Sequence, residues 1–403
     1  MTQRPEITMP ALEPSQQQHA QALRAALDAR LAARGGWLPF DDYLDLVLYA
    51  PGLGYYSAGA AKLGAAGDFT TAPELSPLFG ACVARQCAPL LRAAAHHSGA
   101  ARHGVSDLLE LGAGTGALAE ALLLKLAEHD VLPAHYYILE VSADLRARQQ
   151  ARLGALPEAL SARVQWLDAL PGRPLCGVIL ANEVADALPF QCFEATASGY
   201  LERGVSLNQQ GEPEWATRPA APLLHDELER MSAELQQRFA VGYRGELCTR
   251  LTPWLAGLGA ALETGGVLLF DYGLGRQELY HPQRETGTLR CHFRHRADDD
   301  PFWNPGLQDI TAWVDFTRLA AAAVEAGLHV SGYCTQAAYL LGAGITAELA
   351  ASPNAQQRAR HASQARQLLM PGEMGETFKA MLLTRGELAA GGAFAVQDLR
   401  RLL

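Results

Sequence analysis

The stretch Glu110-Leu111-Gly112-Ala113-Gly114-Thr115-Gly116 sets three glycines and a carboxylate between a short apolar run and a helical pattern. Glycines at such a turn let the backbone approach a ligand closely, with the N-terminus of the next helix facing it. Gly112, Gly114 and Ala117 also fit a dinucleotide fingerprint, so the loop alone leaves nicotinamide cofactors open. Glu110 narrows the choice. A carboxylate there repels a pyrophosphate and suits a cationic ligand such as a sulfonium amino acid. Further polar residues close the following apolar runs: Glu140, placed to accept two ribose hydroxyls, Asp168, placed to meet an adenine amino group, and the pair Asn182-Glu183. Ligands of open α/β sheets bind outside the carboxyl ends of strands. Taken jointly, these ends describe one crevice fitted to S-adenosylmethionine.

Glu183 and Asp186 lie three residues apart just beyond one of these ends, before Pro189. Two carboxylates on one turn can grip a planar guanidinium and take up a proton from it. They are the expected catalytic pair, with arginine as the expected acceptor. The competing role for Asp186 is a helix cap, and for Glu183 the binding of backbone amides.

Positioning these groups takes an alternation of strands and helices. Strands are expected at Asp107–Leu111, His135–Val141, Arg163–Leu167, Gly177–Ala181 and Gly266–Phe270, with helices after Gly116 and over Ala143–Leu153. Such alternation implies a mostly parallel sheet with helices on both faces. Leu328–Thr335 and Phe378–Thr384 are candidate last strands, and a helix is expected over Asp309–Gly327. Residues 1–34 read as a loose leader to residue 18 and a helix from 19. Residues 35–100 read as a cap over the cofactor, a long aromatic and Gly-rich loop followed by a helix from about Ser76. In it, residues 52–75 cover the ligand, with Gly64 and Gly67 allowing close approach and Thr70 and Thr71 offering hydroxyls. Residues 101–403 form the main domain, interrupted at 190–262 (antiparallel strands, then a helix over Asp226–Phe239), at 272–310 (an aperiodic loop) and at 337–375 (mostly helical).

The chain has 403 residues and a net charge of −10, from 33 Lys and Arg against 43 Asp and Glu. That balance disfavours nucleic acid as a partner, and the apolar runs are too short to span a membrane. Seven cysteines without a C-x-x-C pair point to reduced thiols, and residues 1–14 carry no secretory or presequence pattern. A bacterial cytoplasm is the expected compartment. A basic cluster, Arg290, His292, Arg294, His295 and Arg296, precedes Asp298-Asp299-Asp300. It reads as a solvated loop in which opposite charges neutralise, with a docking site for an acidic partner or a phosphate as the alternative, and its histidines lack the companions a metal site needs.

The strings Gly52-x-Gly54-Tyr55-Tyr56, Gly67-Asp68-Phe69-Thr70-Thr71-Ala72-Pro73-Glu74, Asn182-Glu183-x-x-Asp186-Ala187-Leu188-Pro189, Asp271-Tyr272-Gly273 and Gly287-Thr288-Leu289-Arg290 resemble the MidA family of S-adenosylmethionine-dependent methyltransferases. So do Asp309-Ile310-Thr311-Ala312 and Met374-Gly375-Glu376-x-Phe378-Lys379. The resemblance runs over roughly residues 35–385. It implies a class I methyltransferase (Rossmann-like) fold, a seven-stranded sheet whose last strand is antiparallel. The family is related to a mitochondrial complex I assembly factor regarded as a protein arginine methyltransferase. It therefore implies a protein substrate, with a respiratory-complex subunit among the candidates. The cofactor set expected is Glu110, Gly112, Gly114, Gly116, Glu140, Asp168, Asn182, Thr70 and Thr71. Rival functions are a non-catalytic cofactor-binding assembly factor, an NAD-dependent oxidoreductase and a nucleic-acid methyltransferase. The oligomeric state is open.

Overall fold

The structure is a computed structural model that describes residues 12–58, 70–97, 106–294, 296–386 and 388–403. Gly64, the string Gly67-Asp68-Phe69, His295 and the first part of the expected leader lie outside the described residues.

Seven strands form one continuous sheet: β1 (Asp107–Leu111), β2 (Tyr136–Leu139), β3 (Val164–Leu167), β4 (Leu175–Asn182), β5 (Leu262–Leu274), β6 (His329–Thr335) and β7 (Phe378–Arg385). Their spatial order is β3-β2-β1-β4-β5-β7-β6. β7 runs antiparallel to both neighbours, while β1 to β5 pair in parallel. An eighth short strand, Val314–Asp315, pairs with the end of β5, so the expected count of seven is one short.

The central strands are buried along their length because helices cover both faces. On one face, helices α3 (Pro77–His97) and α4 (Ala117–Glu128) pack Phe79, Val83, Leu118 and Leu122 over Leu108, Val178 and Phe270. On the other, helices α6 (Leu251–Ala261) and α7 (Phe316–Glu325) cover Leu109, Ile179 and Leu269. A helix α5 (Ala143–Gly154) follows β2. The sheet leaves no room for a side chain at Gly177, whose φ is 151° and where an added Cβ would collide with the Asp107 carbonyl of the neighbouring strand.

Several elements differ from the sequence expectation. Helix α1 spans Pro14–Ala33 and so takes in the end of the expected leader, with Pro14 at a first-turn position that tolerates it. The expected long loop contains helix α2 (Phe40–Tyr49), whose buried Phe40, Tyr43, Leu44, Val47 and Leu48 follow helical spacing. The abundance of aromatics and glycines after it masked that period. The helix expected over Asp226–Phe239 is Pro222–Glu234, again started by a proline. The helix expected from Asp309 begins at Phe316, because the Asp315 side chain caps it by accepting from the Arg318 amide at 2.9 Å. The expected aperiodic segment 272–310 supplies two strands of a small sheet, Arg290–Phe293 and Arg296–Asp298, and Asp309–Thr311 pairs on the other side of the first.

A cap assembled from α1, α2 and the inserted strands encloses its own apolar cluster around Leu23, Leu27, Phe40, Tyr43, Tyr55 and Phe190. Arg250 joins it to α6 through two bonds to Asp45, at 2.8 and 2.6 Å. Gly177→Ala is expected to cost about 3 kcal/mol or more, since both φ and the Asp107 carbonyl oppose a side chain. Denaturant unfolding of the variant, compared with the parent, checks this.

Candidate active site

The carboxyl ends of β1, β2, β4 and β5 open into a cavity of about 700 Å³, a size that takes a nucleoside-sized ligand together with a second group. Its floor is the glycine loop. Gly112, Gly114 and Gly116 have φ of 61°, 55° and 85°, a left-handed run that side chains resist. Gly112 and Gly114 reach the cavity wall; Gly116 stands behind it, at the N-cap of α4.

Glu140 ends β2 on the wall and is buried. Its Oε1 accepts from the Ser142 amide at 2.9 Å and its Oε2 from Gln149 Nε2 at 2.9 Å. A carboxylate has lone pairs beyond these two, so a ribose diol can still be accepted. Gln149 was missed from sequence. It is fully buried, donates also to the Gly114 carbonyl at 2.8 Å, and accepts from Trp166 Nε1 at 2.9 Å. One side chain thus ties the glycine loop, the ribose-side acid and β3 together. Its signal was a lone amide on the stripe Leu145, Gln149, Leu153 of α5. Exposed Val141, with Leu145 and Leu170, makes this end of the wall apolar, as a flat purine requires.

Asp168 is not part of this wall. Its side chain is 89% exposed and pairs with Arg146 at 2.7 Å, because the cationic face of α5 lies beside it. Thr70 and Thr71 do line the cavity. The short helix after them is tethered: Glu74 accepts from the Thr115 hydroxyl, which in turn accepts from Arg152 at 2.7 Å.

Glu110 is buried on the wall, held by the Tyr136 hydroxyl at 2.6 Å. Burial raises its pKa to about 7, against the opposing effect of Tyr136. Across the cavity, Glu183 takes a left-handed backbone (φ 55°) at the end of β4, a strained conformation for a non-glycine residue. Its carboxylate accepts from Asn182 Nδ2 at 3.2 Å and from the Ala72 amide. Burial and the neighbouring Asp186 lift it to about 8. Asp186 is lifted by burial to about 6 despite a bond from the Tyr272 hydroxyl, and its Oδ1 is buried with no hydrogen-bond partner among the described residues. Asn182 Oδ1 is orphaned in the same way.

Three further residues of this end lay unassigned in the sequence. Asp271 accepts from the Ala185 amide at 2.9 Å, the Asp186 amide at 3.2 Å and the Tyr272 amide at 2.9 Å, and so fixes the turn that carries the acidic pair. Asp309 is buried on the wall and accepts from the Tyr56 hydroxyl at 2.7 Å. Tyr49, beside them, donates to the Ala187 carbonyl at 2.7 Å. Asp271 ends an apolar run, which was a usable signal. Tyr56 and Asp309 are 253 residues apart and meet only through the cap.

Residues 82–334 match the model of a family described as "Putative S-adenosyl-L-methionine-dependent methyltransferase". The zebrafish (Danio rerio) mitochondrial protein arginine methyltransferase NDUFAF7 is 27% identical over 365 residues, covering 84% of this chain and 81% of its own. The rat (Rattus norvegicus) protein of the same name is 25% identical, over 91% of this chain and 85% of its own. A Burkholderia thailandensis protein solved with S-adenosyl-homocysteine bound is 42% identical, with a TM-score of 0.90 over 98% of this chain and 100% of its own. The native crystal form of a Burkholderia thailandensis protein, also 42% identical, superposes at 0.88 over the same shares.

Raised acid values at Asp186 carry a sign for stability. Its folded value of about 6 exceeds the ordinary 3.8, so its ionisation opposes folding increasingly as pH rises from 3.8 to 6, and fully above that. Asp186→Asn is therefore expected to stabilise the ligand-free protein by about 1–3 kcal/mol at pH 8. The gain should vanish below pH 4, as thermal unfolding at the two pH values would show.

Proposed function

The chain belongs to this family of S-adenosyl-L-methionine-dependent methyltransferases, and on that footing we propose that it methylates the guanidinium of an arginine in a protein substrate. The observation that carries the reading is the buried Oδ1 of Asp186, without a hydrogen-bond partner among the described residues, beside Glu183, Asp309, Tyr49, Tyr56 and Tyr272. An anionic, desolvated, aromatic-walled pocket selects a planar cation with many donors.

The cofactor, S-adenosyl-L-methionine, supplies a methyl group on a sulfonium, already activated for in-line transfer. The residues proposed to hold it fit such a ligand. Glu140 and the glycine loop take the ribose and the adjoining chain, Val141 and Leu170 flank the base, and Glu110 offers an anion to the cationic amino-acid end. Thr70, Thr71 and Asn182 complete the set, with the orphaned Asn182 Oδ1 as a further acceptor. Asp168 is placed to orient Arg146 instead.

Glu183 and Asp186 are the proposed catalytic pair. Fixing two guanidinium nitrogens against their carboxylates turns the remaining face toward the methyl donor and localises a lone pair there. The proton released on methylation passes to Asp186 Oδ1 or Glu183, whose raised values suit them as acceptors near neutral pH. The left-handed backbone of Glu183 aims its carboxylate, and Asp271 holds Asp186 by its amide. The protein substrate is of the kind the mitochondrial relatives' names suggest; a respiratory-complex subunit is one candidate. The intact acidic pair argues against a purely cofactor-binding role, and Glu110 against a nicotinamide.

The double variant Glu183→Gln, Asp186→Asn keeps volume and removes both charges. S-adenosyl-homocysteine affinity is expected to change less than about threefold, while methyl transfer to arginine falls at least about a hundredfold, about 2.7 kcal/mol of transition-state stabilisation. Calorimetry and mass-spectrometric detection of methylarginine read the two; undiminished transfer would refute the assignment.

A further inference from the structure

The described cavity wall carries six carboxylates, Glu74, Glu110, Glu140, Glu183, Asp186 and Asp309, and two cationizable side chains, Arg290 and His292. A guanidinium in such company is normally paired. Arg290 is not: it is exposed, its one hydrogen bond runs to its neighbour's carbonyl, Leu289 O, at 3.2 Å, and it has no carboxylate partner among the described residues. The acidic run that follows it in sequence does not neutralise it. Asp298 Oδ1 instead accepts from the Asp299 and Asp300 amides at 2.7 and 2.8 Å, and Asp300 accepts from the Phe302 amide at 2.9 Å. The sequence expectation of mutual neutralisation fails at this residue.

Its place in the fold says which end of the cavity it serves. Arg290 pairs across its strand with Thr311, and His292 with Asp309, the carboxylate that Tyr56 holds beside the acidic pair. Cys291 between them turns the other way, into the cap's apolar cluster. Arg290 therefore stands at the rim of the acceptor end. The glycine loop and the amides of the α4 N-terminus lie toward the other end, where an amino-acid carboxylate finds donors.

We infer that Arg290 reads the sequence around the target: the acceptor is an arginine flanked by an acidic residue, whose carboxylate meets the Arg290 guanidinium while the target side chain reaches the acidic wall. The inference rests on the arginine reading above. A cation alone would satisfy the acidic wall and be repelled at the rim; a cation with an adjacent anion satisfies both. An exposed rim pair contributes modestly, so the effect is a preference of several-fold rather than an absolute requirement.

Three synthetic peptides, identical except for Asp, Ala or Lys beside a single arginine, test it at low salt. The wild-type protein should methylate the Asp peptide with kcat/KM at least about fivefold above the Ala peptide. Arg290→Gln should bring the two together, and Arg290→Glu should shift the preference to the Lys peptide. S-adenosyl-homocysteine affinity, measured by calorimetry, should stay within about twofold in both variants, which also shows that they fold. Equal wild-type rates on the three peptides, or a preference surviving Arg290→Gln, would overturn the inference and leave the arginine reading intact. A tenfold loss of S-adenosyl-homocysteine affinity with the peptide preference unchanged would overturn it too, by giving the guanidinium to the cofactor's carboxylate. A protein that binds S-adenosyl-homocysteine and methylates none of the peptides fails the arginine reading, and this inference with it.

Discussion

Burying a carboxylate without a cation costs several kcal/mol, and this molecule does it repeatedly along one wall. Glu110, Glu183, Asp186 and Asp271 sit at the carboxyl edge of a single sheet, with hydroxyls and amides as partners and no Lys or Arg ion-paired to them among the described residues, and Asp309 joins them from the cap with the Tyr56 hydroxyl among its partners. Hydrogen bonds soften the cost; the raised acid values of Glu110, Glu183 and Asp186 show that they do not remove it. Such a wall persists only if the surrounding structure fixes it, and most of the molecule's special features serve that end. Asp271 gives three backbone amides a common anchor, Glu183 accepts a strained backbone, and the close approach of strands at Gly177 keeps β1 and β4 in register.

The cap completes the constraint. Tyr49 and Tyr56 come from α2 and the turn after it, and both spend their hydroxyls on the acceptor end, one on the Ala187 carbonyl and one on Asp309. The short helix at Ala72 places an amide on Glu183 and links through Glu74 to the glycine loop. Cofactor end and acceptor end are therefore joined by the same segment of chain. Excluding water there strengthens every interaction that a bound cation can make.

How much of this could be read from residues alone follows from how local each signal is. The glycine loop, Glu110, Glu140 and the pair at 182–183 stand at the ends of apolar runs, and both the run and its end are short-range patterns. Asp168 stands at such an end too, yet α5 supplies Arg146 and the side chain turns outward; a strand end fixes where a residue is, not which neighbour claims it. Helix α2 was hidden because its aromatics and the glycines after it dominate the local composition, although its buried positions keep a helical period. Gln149 and Asp271 act through hydrogen bonds to backbone that only the folded chain brings near. The meeting of Tyr56 with Asp309, and of Arg290 with the cavity, depends on how a distant insertion folds back, for which no local pattern exists.

If the wall is held in wait for a cation, binding one must expel protons. At pH 7 the Glu183 value of about 8 leaves that group largely protonated, and a guanidinium seated on it requires the ionised form. The direct measurement is calorimetric titration of an arginine-containing peptide into the protein saturated with S-adenosyl-homocysteine, in buffers of different ionisation enthalpy. The account predicts release of roughly one proton per peptide near pH 7, falling toward zero above about pH 9. Heats that do not vary with the buffer across pH 6 to 8, or that show proton uptake, would contradict it.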